Sequence, residues 1–498
     1  MVAFILPSNS TAGYDIEGSV RLNPSNFLTM DGAMAAGDRR KFTFSVWVKR
    51  VKFGINTVVY SAEASDVVLR FGTSDDLQFK DVNNDSFNLS TNNVFRDNAA
   101  WYHIVVAFDS AQSTAANRLK MYVNGTQQQN LGTNSPPDQN HDSEMNNDGD
   151  SFYIGARTDS TSEDESMTQH FNGYISEFHH IDGLALGPTA FAKTNLDGEW
   201  VPIKYGGAFG TNGMYLEFQQ TGTNANASGI GADTSGKANH FNVNGGLAAT
   251  EIGTDTPTNN FATLNIHTGN TQLTANGYTE GGLKVNSNVT GVSAGNYLMS
   301  YSTIGLTSGK WYAEFKVTGN LYSSGTDSSS LIGVGSGVYK YDNGNQNTAV
   351  GGFTHWWLDH DDDRVLVDGS TGNNNMNSGS HVAQNDIIGV YLNCDLTMPK
   401  VTFHRNGAAL GGASASPYNV RRTGINNIGT NNPIFFLPVV RYGDGSNNGR
   451  FECNFGNPIV ALSSALSDAN GFGSFEYSPT LGGVHHYAVC TKNLAKYG

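Results

Sequence analysis

The chain has 498 residues, too many for one core, and a formal net charge of -15, with 44 acidic against 29 basic residues. That charge disfavours a protein whose main task is gripping DNA or an anionic membrane, and no apolar run is long enough to span a bilayer. Only 15% of residues are charged and Gly numbers 59, the composition of an all-β protein with long polar loops.

Taken in chain order, the start "MVAFILPSNS" has no basic n-region and too short an apolar core for a secretory signal. Residues 1–14 form an N-terminal segment apolar enough to dock on a neighbour. Strand signals then fill 15–245. In "KFTFSVWVKR" Phe42, Phe44, Val46 and Val48 share one strand face, and Thr43, Ser45, Trp47 and Lys49 the other. "WYHIVVAFD" places Tyr102, Ile104, Val106 and Phe108 opposite Trp101, His103, Val105 and Ala107, so it lies inside a sheet rather than at an edge. A polar turn, Leu119, Met121 and Val123, and the Asn124-Gly125 turn complete a hairpin. His103, Asp109, Ser110 and Ser113 therefore read as scaffold and turn residues rather than a nucleophilic triad.

The stretch Thr126 to Asp150 reads as one long polar loop, and "GLALGPTAFAKT" as holding a short helix. His179 and His180 are adjacent on a strand, so they point to opposite faces and cannot easily share a metal; they read as structural, as do His485 and His486. Residues 246–263 are polar, contain Pro257 and read as a linker. Strand signals resume over 264–480, with Trp311 on a core face beside Ala313, Phe315 and Val317. A tail follows over 481–498. Cys394, Cys453 and Cys490 cannot make a disulfide framework and read as buried thiols from a reducing compartment.

The segments "GDRRKFTFSVWVKR", "WYHIVVAFD", "RLKMYVNGT", "FYIGAR" and "FNGYISEFHHIDG" resemble a laminin G-like, concanavalin A-like jelly roll. The later succession "GKWYAEFKV", "IGVG", "DIIGVYLNCD", "VTFHRNG", "FFLPVV" and "CNFGNP" resembles a SPRY domain. The expected fold is all-β, with two antiparallel β-sandwiches in tandem. "GADTSGKANHFNVNG" and "DTPTNNFATLN" are similar to connectors that recur in structural proteins of tailed bacteriophages. This resemblance implies a non-enzymatic virion protein, an exterior tail fibre, appendage or head decoration. It would be assembled in the host cytoplasm as a homo-oligomer and contact other virion proteins or host-surface glycans, without nucleic-acid binding or membrane insertion. The alternatives are a glycan depolymerase on the concanavalin A-like scaffold and a bacterial surface adhesin.

Retaining glycoside hydrolysis needs two carboxylates about 5 Å apart, met on one strand as Glu-x-Asp-x-Glu; the chain has no such pattern, and "TSEDES" at 161–166 sits in a polar loop. No catalytic residue is assigned. Trp47, Trp356 and Trp357 are candidate platforms for a glycan or protein partner, with ordinary aromatic packing as the competing reading. Asp359, Asp361 and Asp363 have the oxygen spacing of a Ca2+ loop, but Arg364 takes the place of the turn glycine and Ser370 that of the bidentate glutamate. A solvated acidic loop is the alternative, and no cofactor is required.

Overall fold

The computed structural model describes residues 13–30, 34–62, 67–158, 167–267, 277–286, 297–319, 330–336, 353–358, 364–367, 382–409, 417–420, 432–441 and 450–498. The chain divides into two compact units, one ending at Asn259 and the other running from Asn260 to Gly498.

In the first unit two antiparallel sheets face each other. One runs Thr126–Gln127, Leu119–Val123, Trp101–Asp109, Lys41–Arg50, Gly173–Asp182, Ser19–Leu22, Ile252–Gly253, with Met214–Leu216 also on Gly173–Asp182. The other runs Leu131–Ser135, Asn88–Val94, Asp76–Asp81, Val67–Phe71, Thr57–Ala62, Phe152–Ile154, Phe27–Met30, Asn242–Asn244. The alternation read from the sequence sets the layers. Phe42, Phe44, Val46 and Val48 join Ile104, Val106 and Phe108 in the core between the sheets, against Tyr60, Phe79 and Phe87 of the facing layer. Phe42 stacks on Phe108 at 4.6 Å, and Phe44 meets Tyr60 edge-on at 4.7 Å.

The stretch expected as one loop, Thr126 to Asp150, is corrected by the structure. Its two strands, Thr126–Gln127 and Leu131–Ser135, form an edge of each sheet, so this segment carries the chain from one layer to the other. Leu131–Ser135 is almost wholly exposed, and an edge strand with so little to bury leaves no apolar alternation to read. Met145, further along, is buried in the core. The expected short helix is a single turn, Pro188–Ala190.

The polar stretch read as a linker is built into the first sandwich up to Asn259. Ile252–Gly253 pairs with Ser19–Val20. Two residues later, Asp255 takes the Lys49 ammonium at 2.9 Å, with both side chains fully buried. Trp101 Nε1 donates to the other carboxylate oxygen at 3.2 Å. The pair fastens the end of the unit onto the outer face of the first sheet.

The second unit has a sheet ordered Tyr278–Thr279, Lys284–Asn286, Arg450–Asn454, Lys310–Val317, Ile387–Asn393, Lys400–Arg405, Ala408–Ala409, with Tyr418–Asn419 also on Lys400–Arg405. Its partner runs Tyr297–Met299, Ile434–Arg441, Ser330–Ser336, Phe353–Leu358, Arg364–Val367. Trp311 is fully buried, as its strand face predicts. Phe455 lies 6.1 Å from Phe315 and 6.2 Å from Phe436, joining the two layers through aromatic contacts. Cys394, Cys453 and Cys490 are buried and form no disulfide. No helix among the described residues is long and apolar enough to cross a membrane.

Removing one member of a buried ion pair leaves the other charge without compensation, at a cost of about 3–5 kcal/mol, whereas replacing both by apolar groups is often near neutral. Asp255→Ala should therefore lower the denaturant midpoint of the first unit sharply, and Lys49→Met with Asp255→Leu should recover most of the loss.

Candidate functional site

Two surfaces gather polar side chains, and both lie on the outer face of a sheet. In the first unit this face is covered by the chain between Gly183 and Phe218 and by the Tyr14–Ile16 segment. Trp47, Trp101, Tyr174, Ile16 and Ala192 form one buried cluster there, and Val105, Ile181 and Phe191 another. Polar groups beneath the cover have to be paired. Trp200 Nε1 donates to His103 Nδ1 at 3.0 Å, which leaves the proton on Nε2, 2.8 Å from Ser45 Oγ. Burial holds this imidazole neutral, its pKa down to about 3, with His179 adding to the effect. A fully buried histidine with both nitrogens engaged is a structural element, as the sequence reading expected.

Trp47 is likewise placed under the cover. It is 5% exposed and stacks on His103 at 4.7 Å, so it offers no open platform to a ligand. Asp109 accepts from the Ala111 amide and from Gln112 Nε2, closing the turn that follows its strand. His179 and His180 do point to opposite faces. His179 stacks on Tyr215 at 4.2 Å under the cover, and His180 meets Phe44 edge-on at 4.9 Å in the core.

Between Ser176 and His179 the strand bulges, and Glu177 takes φ +50. The extra residue turns the Glu177 carboxyl under the cover. Tyr14 Oη donates to it at 3.1 Å, Tyr215 Oη lies 2.9 and 2.8 Å from its two oxygens, and the two hydroxyls are 2.6 Å apart. Burial raises this carboxyl from 4.5 to about 7, against the pull of both tyrosine hydroxyls. Proton counting points the same way: while the carboxyl is ionised, two hydroxyl protons serve three mutually contacting groups joined pairwise, and protonation supplies a third proton.

In the second unit the outer face of the larger sheet is only partly covered. Tyr312, Tyr391, Phe475, Ala488, Cys490 and Phe261 pack together under the C-terminal segment. Glu314 ties that segment down. It accepts the Glu476 and Tyr477 amides at 3.0 and 2.8 Å, the Tyr312 hydroxyl at 3.1 Å and Asn454 Nδ2 at 3.2 Å. Burial raises its pKa, and these four bonds oppose the shift.

Where the cover stops, a groove of about 320 Å3 opens. Its floor comes from the paired strands Ile387–Asn393 and Lys400–Arg405. Tyr391 is opposite Thr402 and Asn393 is opposite Lys400, while Gly389 is opposite His404. Leu481, Gly482, Val484 and His486 line it from the C-terminal side. Tyr391 Oη donates to the Ser478 carbonyl at 2.7 Å, fixing the ring between His404 at 4.8 Å and His486 at 5.3 Å. Burial lowers the pKa of both histidines, that of His486 to about 4. The groove combines an apolar floor, amide and hydroxyl groups and a cation in a volume typical of ligand sites. Among its described lining residues there is no carboxylate pair of the kind retaining hydrolysis needs.

Sequence reasoning missed this groove. Its signal was present in the alternation, with Tyr391 and Asn393 on one strand and Lys400, Thr402 and His404 on the next all falling on the face away from the core. The closing wall comes from residues more than 75 positions later.

Trp356 and Trp357 fall in Phe353–Leu358, paired with Ile332 and Leu331 on one side and with Val365 and Arg364 on the other. Asp359, Asp361 and Asp363 lie outside the described residues, as do residues 1–12 and the acidic stretch 161–166. Among the described residues, no group of three or more His, Cys, Asp or Glu side chains is placed to hold a metal ion.

The family described as the concanavalin A-like lectin/glucanases superfamily matches residues 25–187. The first sandwich thus has a concanavalin A-like jelly-roll fold. No curated protein matches the chain. Similar solved structures include the SPRY domain of human HERC1, at 12% identity over 38% of this chain and 96% of that one, TM-score 0.26. A heptameric SAP-like pentraxin from Limulus polyphemus is 15% identical over 35% and 80%, TM-score 0.28. Domain 4 of AbnA, a GH43 extracellular arabinanase from Geobacillus stearothermophilus solved with arabinotriose, is 16% identical over 32% and 66%, TM-score 0.22.

The Glu177 arrangement predicts a pH signature. Its folded pKa is raised, so its contribution is fully present below about pH 4.5 and is lost as pH rises through about 7, a span worth roughly 3 kcal/mol. The depressed histidines act in the opposite sense, their contribution being present above about 6.5 and lost on acidification. Glu177→Gln should remove only the first effect. Thermal unfolding at pH 5 to 8 should show the variant gaining on the parent protein as pH rises; a constant difference between them would refute the assignment.

Proposed function

We propose that this chain is a non-catalytic attachment protein that binds glycans on a cell surface through the groove beside Tyr391. The observation that carries the reading is the groove itself, an open ligand-sized site at the edge of an otherwise covered sheet. The buried carboxylates argue against a depolymerase. Glu177 is occupied by two tyrosines, and Glu314 by two backbone amides, a tyrosine and an asparagine. The lectin/glucanase match over residues 25–187 fits a contact role but does not choose between binding and cleavage.

The setting we infer is the exterior of a tailed-bacteriophage particle, as a tail fibre, appendage or head decoration displayed in several copies. The support is the resemblance of the two connector segments to those of phage structural proteins. Weak sites repeated on a symmetric particle gain strength by multivalency. Ca2+ at Asp359, Asp361 and Asp363 belongs to this proposal as an accessory ion with no catalytic part.

The test combines binding with degradation. The full chain should bind purified envelope polysaccharide of a susceptible host and release no oligosaccharide from it. Thr402→Trp, which fills the middle of the groove, should abolish binding while leaving the unfolding temperature within a few degrees. Oligosaccharide release would favour the depolymerase instead.

A further inference from the structure

The hairpin that walls the groove also borders a second hollow. Thr480–Leu481 pairs with Val484–His485 across Gly482 and Gly483, both at positive φ as a type I′ turn requires. Val484 lines the groove and also, with His485, a pocket of about 270 Å3. The chain neighbours Asp395 and Leu396 are divided in the same way, Asp395 lining the pocket and Leu396 the groove. The two hollows therefore adjoin at Val484 and at the Asp395–Leu396 step, where Leu396 and Val484 are 46% and 43% exposed. The pocket has its own chemistry. Tyr487 is fixed to the strand Lys310–Val317, its amide on the Lys310 carbonyl and its carbonyl on the Tyr312 amide, both at 2.9 Å. Its ring stacks on Tyr497 at 4.1 Å, and both tyrosines are half-buried. In the same lining Lys310 Nζ lies 2.5 Å from one oxygen of Asp395, and the Gly309 amide donates to the other at 2.6 Å. These two side chains are 30% and 41% exposed. An ammonium has three donors and a carboxylate about four acceptor positions, so a pair that neutralises itself still has places for hydroxyl groups.

We propose that this pocket is a second saccharide subsite, so that a glycan lies across Val484 with one part in the groove and a further, uncharged sugar in the pocket. There the Lys310–Asp395 pair donates to and accepts from ring hydroxyls, and the stacked tyrosines offer apolar surface and hydroxyls to the same sugar. Leu396 and Val484 meet the C–H face of the ring at the crossing. The inference rests on the reading of the groove as a glycan site and adds the length and neutrality of the stretch bound. A neutral polyhydroxylated ring matches donors and acceptors while the ion pair stays intact. A charged group would have to compete with one member of that pair for the other.

Isothermal calorimetry on the full chain tests this with purified envelope polysaccharide of a susceptible host, cut by mild acid into fragments sorted by length. Affinity should rise roughly ten-fold between fragments that fill one hollow and fragments that fill both. The rise should persist at high salt, and a rise lost to salt would overturn the neutrality of the second sugar. His485→Trp, which fills the pocket from an exposed position, should cancel the rise with an unchanged unfolding temperature, and Tyr497→Ala should also cancel it. A rise that survives both substitutions would overturn the second subsite. So would affinity independent of length, and if Thr402→Trp then still abolished binding, the groove would stand alone as the glycan site. Should no fragment bind, both readings fall together.

Discussion

A fully buried ammonium group anchors the architecture of the first unit. Lys49 sits in the middle of a sheet, on the face away from the sandwich core, where an uncovered strand would let it reach solvent. Its burial is tolerable only because Asp255 arrives from the far end of the unit to neutralise it. Accepting that pair commits the sheet to a cover on its outer side. The tryptophans, the imidazole of His103 and the carboxyl of Glu177 are all consequences of a layer that had to be closed over polar residues and then satisfied internally.

The same logic separates binding from scaffolding. A histidine, an aspartate and serines near one another suggest catalysis only while they are imagined in the open. Once His103 is enclosed by Ser45, Trp200 and Trp47, its low pKa marks desolvation rather than reactivity. In the second unit the cover is incomplete, and that is where a surface with chemical character emerges. The edge of the C-terminal segment, pinned by Glu314 and by Tyr391, is what gives the groove its wall.

Much of the layering was legible because β-strands alternate. The faces of Lys41–Arg50 and Trp101–Asp109, the split of His179 from His180 and the burial of Trp311 all follow from period two. Trp47 shows the limit of that pattern. Alternation puts it on the outer face, but it cannot say that the chain after Gly183 will fold back over it. Lys49 and Asp255 are 206 residues apart, and nothing local in either segment announces the other. The bulge at Glu177 also escaped, since an extra residue leaves no mark when both faces of the strand are buried. Exposed edge strands such as Leu131–Ser135 read as loop because burial, the source of the pattern, is missing there.

Gly389 links one strand of the larger sheet to the anchorage of the C-terminal segment. A β-carbon built there would come within 2.6 Å of the Tyr312 hydroxyl, the same group that donates to Glu314. One added methyl would push that hydroxyl away from the carboxyl that secures the backbone at Glu476 and Tyr477. The position therefore has no room for even one carbon beyond the backbone, and any substitution there would be felt at the far end of the chain, where the C-terminal segment is held down.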